Sequence, residues 1–472
     1  MTHTFDPTVL REYDIRGIIG ETLGADDARA IGRGFGTLLR RDLGEGEDAP
    51  MVAVGYDGRV SSPMLEHALV EGLTSSGCNV RRIGMGPTPM LYYAEASAED
   101  VQGGIQITGS HNPANYNGFK MVFRGRPFFG AEIARLGELG AGGDWLDGAG
   151  RVESVDILEE YVERLLAALA GVDTASLASL KVGWDAGNGA AGPALELLAQ
   201  RLPGEHHLLF TDVDGNFPNH HPDPTVEANL ADLAKLVAEK NLDFGVAFDG
   251  DGDRIGAIDG EGRIIWGDQL LMIYAEDLLG RLPSATIIAD VKASRALFES
   301  VEKRGGKPLM WKTGHSLIKS KMKEVSSPLA GEMSGHVFFA DDYYGFDDAL
   351  YAGVRLIAAS ARLGKSVTQL RGDMPAMLNT PELRFQVDES RKFAAIGEIA
   401  DRIAASDAVA DTTDGVRVTT DDGWWLLRAS NTQDVLVARA ESDSEAGLER
   451  LLRQIDEQLA LSGLERGESV GH

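Results

Sequence analysis

One pattern occurs three times along this chain: a short apolar strand that ends in aspartate, a loop of small residues, and an amphipathic helix that leads into another strand. The three strands lie at residues 52–57, 182–185 and 287–290. Strands that alternate with helices in this way predict βαβ units, in which a largely parallel sheet is covered by helices on both faces. Functional loops gather at the carboxyl ends of such strands. Each repeat is therefore expected to offer one chemical loop at an equivalent place.

The chain departs from this pattern towards its C-terminus, where short strands follow one another without helices between them. Strands are predicted at residues 383–387, 416–419, 424–427 and 435–438, and helices near 393–403 and 448–459. Consecutive strands of this kind predict an antiparallel sheet. We therefore predict an α/β protein with three similar mixed-sheet α/β domains and a C-terminal α+β domain. The predicted domains are residues 1–155, 156–261, 262–374 and 375–472.

The charge balance limits the partners of the chain. Its 472 residues include 73 acidic and 45 basic side chains, which gives a formal net charge of −28. Such a field repels nucleic acid and anionic membranes, so neither is expected as a partner, and an anionic substrate requires a locally basic pocket. A single cysteine, Cys78, excludes intrachain disulfides, and no apolar run approaches about 18 residues. We expect a cytoplasmic protein that is a monomer or a weak dimer.

The polar loop of the first repeat carries a serine. Residues 107–113 read Ile-Thr-Gly-Ser-His-Asn-Pro, and this composition favours a tight turn that exposes the hydroxyl of Ser110. An exposed hydroxyl is what a nucleophile requires. Most Gly-Ser loops are only turns, so the motif alone leaves a structural role open.

The loop of the second repeat is rich in carboxylates. Asp249, Asp251 and Asp253 alternate with glycines after an apolar strand, so that the three side chains can converge on one hard cation. A solvated acidic turn is the alternative. An EF-hand is excluded, because Arg254 stands where that loop requires glycine and Gly260 where it requires glutamate. Three protein ligands leave room for water and a phosphate oxygen, which favours Mg²⁺.

Five motifs follow one another between residues 13 and 432. They are Tyr-Asp-Ile-Arg-Gly at 13–17, the serine loop at 108–113, the aspartate loop at 249–254, Gly-Glu-Met-Ser-Gly-His at 331–336, and Arg-Ala-Ser-Asn-Thr at 428–432. In this order they resemble the motifs of the α-D-phosphohexomutase family, and within it the chain is most similar to the bacterial phosphomannomutase/phosphoglucomutase branch. The resemblance covers nearly the whole chain. It implies four domains arranged around a central cleft, with one motif from each domain.

The resemblance also implies a reaction. It is the reversible interconversion of hexose 1-phosphate and hexose 6-phosphate, with glucose or mannose as the sugar. Ser110 would be carried as phosphoserine, and Asp249, Asp251 and Asp253 would hold Mg²⁺ together with a phosphoserine oxygen. The phosphoryl group would pass to the substrate to form a hexose 1,6-bisphosphate, the intermediate and activator, which must then turn around in the site.

Further site residues are implied by the same resemblance. The substrate-binding residues would be Tyr13, Arg16, Lys292, His315, Glu332, Ser334, Arg428, Ser430, Asn431 and Thr432. Glu332 and Ser334 would hold the 3- and 4-hydroxyls of the sugar, and the 428–432 stretch would bind the phosphate that is not transferred. His111, Lys120 and His336 are the candidates for moving the proton of the attacked hydroxyl, and Arg254 would lie beside the metal.

Two other activities remain as alternatives. Phosphoglucosamine mutases usually differ from this chain at the positions of Gly109, Met333 and Asn431, where they have alanine, glutamine and glycine. A catalytically inactive sugar-phosphate sensor is disfavoured by the intact serine and aspartates. No residue can be assigned to read C2 of the sugar, so the sequence predicts no preference between mannose and glucose.

Three further features carry simpler interpretations. His220 and His221 are adjacent, so their side chains should point apart, and a structural role is predicted. Trp424 and Trp425 should face opposite sides of a strand, which predicts one tryptophan in the core and one at the surface. Asp434 departs from the family pattern and should weaken phosphate binding modestly, unless its side chain turns away to cap a backbone N–H group.

Overall fold

The computed structural model of this protein describes residues 2–44, 48–431 and 433–467, which form four sheets in sequence order. The strands of the first sheet are β1 (Ile15–Ile18), β2 (Met51–Tyr56), β3 (Asn79–Met85), β4 (Val101–Ile107), β5 (Tyr116–Phe123) and β6 (Val152–Ser154). Its helices are α1 (Ala25–Leu43), α2 (Ser62–Ser75), α3 (Thr88–Ala96) and α4 (Ala131–Gly142). The order is β1-β5-β4-β2-β3-β6, and β5 is antiparallel to both neighbours while the other pairs are parallel.

Local sequence explains how the helices of this domain pack. Leu65, Leu69 and Leu73 recur every four residues along α2 and are all fully buried. Glycines let α1 and α2 approach closely, since a Cβ atom at Gly32 would lie 2.3 Å from the carbonyl oxygen of Leu69. A side chain at Gly72 would clash with α1 in the same way. The predicted amphipathic helix therefore packs face to face with its neighbour.

The second and third sheets repeat the mixed pattern. The second domain has α5 (Leu158–Leu166), β7 (Lys181–Asp185), α6 (Gly192–Arg201), β8 (Glu205–Leu209), α7 (Ala231–Lys240), β9 (Phe244–Phe248), β10 (Ile255–Asp259) and β11 (Ile264–Ile265). The third has α8 (Gly267–Arg281), β12 (Thr286–Asp290), α9 (Arg295–Lys303), β13 (Lys307–Trp311), α10 (His315–Val325), β14 (Leu329–Gly331), β15 (Val337–Phe339), α11 (Ala349–Leu363) and α12 (Val367–Gly372). Their orders are β11-β10-β9-β7-β8 and β13-β12-β14-β15.

The fourth sheet is antiparallel throughout. It contains β16 (Leu378–Asn379), β17 (Leu383–Gln386), β18 (Val409–Asp411), β19 (Val416–Thr420), β20 (Gly423–Ala429) and β21 (Val435–Ser442), with helices α13 (Glu389–Ala404) and α14 (Glu445–Leu461). The predicted fold class, three mixed sheets followed by an antiparallel one, is thus confirmed. No helix among the described residues is long and apolar enough to cross a membrane.

The second sheet extends past the domain boundary predicted at residue 261. β11 pairs with β10 as an antiparallel hairpin, with Ile258 opposite Ile264. Gly262 has a φ of +82° and occupies the turn of this hairpin. A glycine in such a stretch serves a tight turn as readily as a linker, so the sequence does not distinguish the two.

Both tryptophans of the last sheet are buried, which makes the prediction of one surface tryptophan wrong. Trp424 and Trp425 do point to opposite faces of β20, but each is only 1% exposed. Trp425 lies in the core of the C-terminal domain with Ile455. Trp424 packs against Val291 of the third domain, and its Nε1 donates to Glu441 at 2.8 Å. The face predicted to meet water is covered by a neighbouring domain.

Candidate active site

Ser110 lies in the loop between β4 and β5. Its φ is +49°, in the left-handed region that costs a non-glycine residue about 1–2 kcal/mol. Its Oγ donates to Asp249 Oδ2 at 3.0 Å and lies 3.3 Å from His111 Nδ1. The residue is 1% exposed, because the aspartate loop packs so closely that a Cβ atom at Gly250 would lie 2.5 Å from the Ser110 carbonyl oxygen. The prediction of an exposed hydroxyl is therefore wrong, since the hydroxyl faces a buried carboxylate.

Three carboxylates converge at the turn between β9 and β10. Asp249, Asp251 and Asp253 are fully buried, and each offers an oxygen within 4.8 Å of the others. Asp249 Oδ1 accepts the backbone N–H groups of Asp253 and Arg254, each at 3.1 Å. Among the described residues, Asp251 Oδ1 has no hydrogen-bond partner, and Asp253 Oδ1 has only an ion-pair contact at 3.2 Å with His336. A divalent cation would satisfy these buried oxygens, so the residues fit one.

The charges in this cluster are only partly balanced. Burial and the charges of Asp251 and Asp253 raise the pKa of Asp249 well above its ordinary value. The Lys120 ammonium on β5 contacts Asp251 at 2.8 Å and also contacts Asp253. Burial disfavours the charged form of Lys120. The negative charges of Asp251 and Asp253 have the larger effect, and they raise the pKa of Lys120 above its ordinary value. Besides this ammonium, the cluster of three carboxylates contacts the ring of His336, which Glu332 shares, so negative charge remains that a metal ion would offset.

The loop between β14 and β15 connects the predicted sugar-binding motif to this cluster. Glu332 Oε1 accepts the backbone N–H of Gly314 at 2.8 Å, and Glu332 Oε2 lies 2.9 Å from His336 Nδ1. Ser334 Oγ lies 3.2 Å from the same nitrogen. Although burial opposes the imidazolium, Asp253 and Glu332 raise the pKa of His336 to about 9. A charged His336 thus joins the sugar motif to the aspartates.

A second histidine stacks on His336. The ring of His315, at the start of α10, has its centroid 5.7 Å from that of His336, with 27° between the planes. Burial and the charges of Lys319 and Lys120 lower the pKa of His315 well below its ordinary value. A neutral His315 can both donate and accept a hydrogen bond, as a sugar hydroxyl would require. Arg254 Nε lies 3.4 Å from His336 Nε2, on the side of the aspartate loop.

The predicted phosphate loop follows β20. Arg428 is buried, and its Nε donates to Asp414 Oδ2 at 2.9 Å. Asn431 Nδ2 donates to the hydroxyl of Tyr13, which in turn donates to the carbonyl of Thr313 at 3.0 Å. Tyr13 therefore joins loops of the first, third and fourth domains.

Three further residues are predicted to bind the substrate: Ser430, Thr432 and Lys292. Ser430 Oγ accepts the backbone N–H of Gln433 at 3.2 Å. Thr432 lies outside the described residues. Lys292, after β12, contacts Glu382 at 3.1 Å, so a phosphate would compete with that carboxylate for its ammonium.

Arg16 lies on the side of the serine loop. It donates to the side chains of Asp14 and Asn112, each at 2.8 Å. Asn112 belongs to the same loop as Ser110, so Arg16 places positive charge next to the predicted nucleophile rather than next to the phosphate loop.

The contacts form one continuous series from the nucleophile to the phosphate loop. It passes through Ser110, Asp249, Asp253, His336, Glu332, Gly314, Thr313, Tyr13 and Asn431. Loops of each of the four domains contribute at least one of these residues. The motifs that lie far apart in the sequence therefore share one site.

Two buried side chains that hold this site carry no sequence signal of their own. Thr88 donates its backbone N–H to the Asp251 carbonyl at 2.8 Å and its hydroxyl to the Asp251 carboxylate. Arg59 donates to backbone carbonyls of the serine loop. Arg59 follows Asp57, the strand-end aspartate of the repeat pattern, by two residues. This position is the only sequence feature that could have indicated Arg59.

His220 contacts oxygen atoms of the protein through both ring nitrogens. Its Nε2 lies 2.9 Å from Asp185 Oδ2, and its Nδ1 lies 3.0 Å from the carbonyl oxygen of His221. Asp185 ends β7, so the histidine ties the loop to the strand. These contacts support the structural role predicted for His220.

Asp434 has a cationic neighbour that the sequence does not reveal. Its Oδ1 lies 3.7 Å from the ammonium of Lys392, a buried residue on α13. The same ammonium donates to the carbonyl of Gln433 at 2.9 Å. Lys392 also pairs with Glu389, so it offsets only part of the negative charge of Asp434 while it anchors the phosphate loop. Only a weak repulsion of phosphate is therefore expected.

Asp434→Asn is accordingly expected to change the KM for a phosphorylated substrate by less than about threefold, since a half-exposed ion pair contributes little. Lys392→Met should raise that KM by about tenfold, because the loop loses a charge-assisted bond to its backbone. Steady-state kinetics of both variants at low and high salt would measure this. A clear fall in KM for Asp434→Asn would instead support the original repulsion.

Comparison with known proteins matches all four parts of the chain to one family. Models of the phosphoglucomutase/phosphomannomutase α/β/α domains I, II and III match residues 7–138, 159–262 and 266–377, and the model of the C-terminal domain matches residues 382–458.

Individual relatives are similar over nearly their full length. The chain is 45% identical over 448 residues to a phosphomannomutase/phosphoglucomutase of Pseudomonas aeruginosa PAO1, covering 95% of this chain and 94% of that protein. It is 40% identical over 447 residues to a phosphoglucomutase of Neisseria gonorrhoeae, covering 94% and 95%. A solved structure of a phosphoglucomutase/phosphomannomutase family protein from Burkholderia thailandensis superposes with a TM-score of 0.90 at 42% identity, covering 99% of this chain and 100% of that one.

Proposed function

Since this chain belongs to the phosphoglucomutase/phosphomannomutase family and is a phosphohexomutase, we propose that Ser110 carries the transferred phosphoryl group. Enzymes of this kind interconvert hexose 1-phosphate and hexose 6-phosphate. The observation that carries the assignment is the 3.0 Å contact between Ser110 Oγ and Asp249 Oδ2, at the edge of the buried carboxylates. Phosphoryl transfer needs a positioned nucleophile and compensating positive charge. The contact positions the hydroxyl, and the adjacent carboxylates could bind a cation that would supply the charge.

We assign Asp249, Asp251 and Asp253 to the binding of Mg²⁺. The partnerless Asp251 Oδ1 and the raised pKa of Asp249, which burial and its two neighbours cause, support this assignment. When bound, the ion would offset the charge of the transferring phosphoryl group. Lys120 holds Asp251 and Asp253 in place, so we assign it to charge compensation.

The site must accept a sugar with a phosphate at either end. Glu332 and Ser334 are proposed to bind the 3- and 4-hydroxyls, which both orientations of the hexose could present to the same pair. Arg428 and the loop after it are proposed to hold the phosphate that is not transferred, with Tyr13 and Asn431 closing the loop. A hexose 1,6-bisphosphate intermediate would turn around between these two ends and also serve as activator.

Proton transfer is proposed for two histidines at the two reacting oxygens. His111 Nδ1 lies 3.3 Å from Ser110 Oγ and is proposed to exchange the proton of the serine. His336 lies between Glu332 and Asp253, and its imidazolium is proposed to donate a proton to the sugar oxygen from which the phosphoryl group returns to Ser110. Arg254 and Arg16 are proposed to stabilise the phosphate next to Ser110.

A direct test is the phosphorylation of Ser110. The purified protein would be incubated with Mg²⁺ and glucose 1,6-bisphosphate, and the phosphate would be located by peptide mass spectrometry. Turnover of mannose, glucose and glucosamine 1-phosphates would be compared under the same conditions. Phosphate on Ser110 with turnover of glucose or mannose phosphate is expected. Preferential turnover of the glucosamine phosphate would favour the amino-sugar alternative, and an unphosphorylated Ser110 would exclude the proposed carrier.

Glu332→Ala is expected to lower kcat/KM by about 10- to 100-fold for glucose and mannose phosphates alike, because a charge-assisted bond to hydroxyls that both sugars share is lost. Glu332 also accepts the N–H of Gly314, so Glu332→Gln serves as a control that retains this contact. Steady-state kinetics on both sugars would measure the effect. A loss confined to one sugar would mean that Glu332 reads C2.

A further inference from the structure

Most N–H groups of the Arg59 guanidinium donate to the loop that carries Ser110. Its Nη1 donates to the carbonyls of Pro113 and Tyr116, at 2.6 and 3.0 Å. Its Nη2 donates to the carbonyls of Ser110 and Asn112, at 2.8 and 2.6 Å. A guanidinium has five N–H donors in one plane, and four of them are spent here on backbone oxygens. The peptide planes on the C-terminal side of Ser110 are therefore held by one side chain.

The fifth donor continues to a carboxylate that holds the other side of the serine. Arg59 Nε donates to Asp57 Oδ2 at 3.1 Å, and the same oxygen accepts the backbone N–H of Gly109 at 3.1 Å. Asp57 Oδ1 accepts the hydroxyl of Ser62 at 2.6 Å. The Arg59 and Asp57 side chains are 0% and 2% exposed. Such a buried pair is favourable only when its hydrogen bonds are complete, as they are here.

The second domain covers the same guanidinium. The ring centroid of Phe217 lies 5.2 Å from Arg59 Cζ. A Cβ atom at Gly215 would lie 2.7 Å from Arg59 Cα, so the loop of the second domain passes directly over the arginine. Arg59 is thereby confined between the nucleophile loop and the domain that contributes the aspartates.

We propose that Arg59 is a positioning residue that directs the Ser110 hydroxyl towards the carboxylate cluster. Ser110 adopts a φ of +49°, which an L-residue avoids unless its surroundings enforce it. The bonds from Arg59 to the loop and from Asp57 to Gly109 supply that constraint on both sides of the serine. A lysine offers three donors from a single point and cannot bridge four carbonyls. The inference rests on the proposed role of Ser110 as phosphoryl carrier.

The test compares Arg59→Lys with wild type in single-turnover phosphorylation by glucose 1,6-bisphosphate, followed by quenched intact-mass measurement. The rate is expected to fall by about 100-fold, as a misplaced nucleophile would cause, while the KM for glucose 1-phosphate stays within about threefold. Arg355→Lys is the matched control. Arg355 is 2% exposed and bonds to Asp341, away from the serine loop, so its variant should keep the wild-type rate.

Asp57→Asn provides a second route to the same question. Asp57 Oδ2 accepts both Arg59 Nε and the Gly109 N–H, and asparagine keeps an acceptor there but removes the charge that pairs with the guanidinium. The variant should show a fall in rate with unchanged KM, and it carries the test if Arg59→Lys does not fold. Rates are normalised to the folded fraction measured by thermal unfolding.

The outcomes separate this inference from the proposed function. If wild type takes up no phosphate on Ser110, the proposed carrier itself fails. If wild type is phosphorylated and folded Arg59→Lys or Asp57→Asn is phosphorylated as fast, the positioning role is refuted. An equal loss in Arg355→Lys, or a loss that appears in KM instead of the transfer rate, would also overturn it.

Discussion

Ser110→Ala is expected to lower kcat by at least about 10³-fold while the Kd for hexose phosphate stays within about tenfold. The hydroxyl would carry the phosphoryl group, whereas affinity is proposed to come from the loop after Arg428, at the other end of the contact series. Turnover would be measured by a coupled assay and affinity by calorimetry.

Ser430→Ala is the matched control for this change, because it removes a hydroxyl of the same size from the phosphate end. It should raise KM and leave kcat nearly unchanged. Substantial turnover by Ser110→Ala, with host mutase excluded by a mock purification, would show that another group is the carrier.

Asp251→Asn is expected to slow phosphoryl transfer by about 10²- to 10³-fold, corresponding to the loss of several kcal/mol of charge stabilisation at the metal. Asparagine keeps the shape of the side chain but removes one of three anionic ligands. The variant should also bind Mg²⁺ more weakly, which a thermal-shift titration with Mg²⁺ would measure without reference to activity.

Asp259→Asn is a suitable control for burial, since Asp259 is also fully buried in the second sheet but pairs with Arg263 outside the site. It should leave the Mg²⁺ titration unchanged. Full activity of wild type in excess chelator would contradict the assignment of the three aspartates to a metal.

The sheets could be predicted from sequence because their signal is local. The apolar strands that lead to Asp57, Asp185 and Asp290 lie in three separate sheets, as the repeat predicts. Side-chain alternation and helical spacing depend on neighbours a few residues away, so a single sequence contains them. The order of strands within each sheet needs contacts over long distances, and the sequence pattern does not supply it.

Burial and pairing within the site depend on partners distant in sequence. Lys120 reads as a proton-transfer candidate in isolation, yet two aspartates more than 130 residues away engage its ammonium. In the same way, Lys392 weakens the repulsion of phosphate that the sequence predicts for Asp434. No sequence motif marks Arg59, because its hydrogen bonds to the loop at 110–116 form only when the chain has folded.

The contact between Trp424 and Val291 can form only late in ribosomal synthesis. The third domain emerges from the ribosome first, and the apolar surface at Val291 has no cover until β20 has been translated and folded. A nascent chain that has reached only the third domain exposes this apolar surface. Exposed apolar surfaces are bound by chaperones and promote aggregation. Chains that terminate prematurely after α12 should therefore require chaperone assistance to stay in solution, even though three of the four domains are complete.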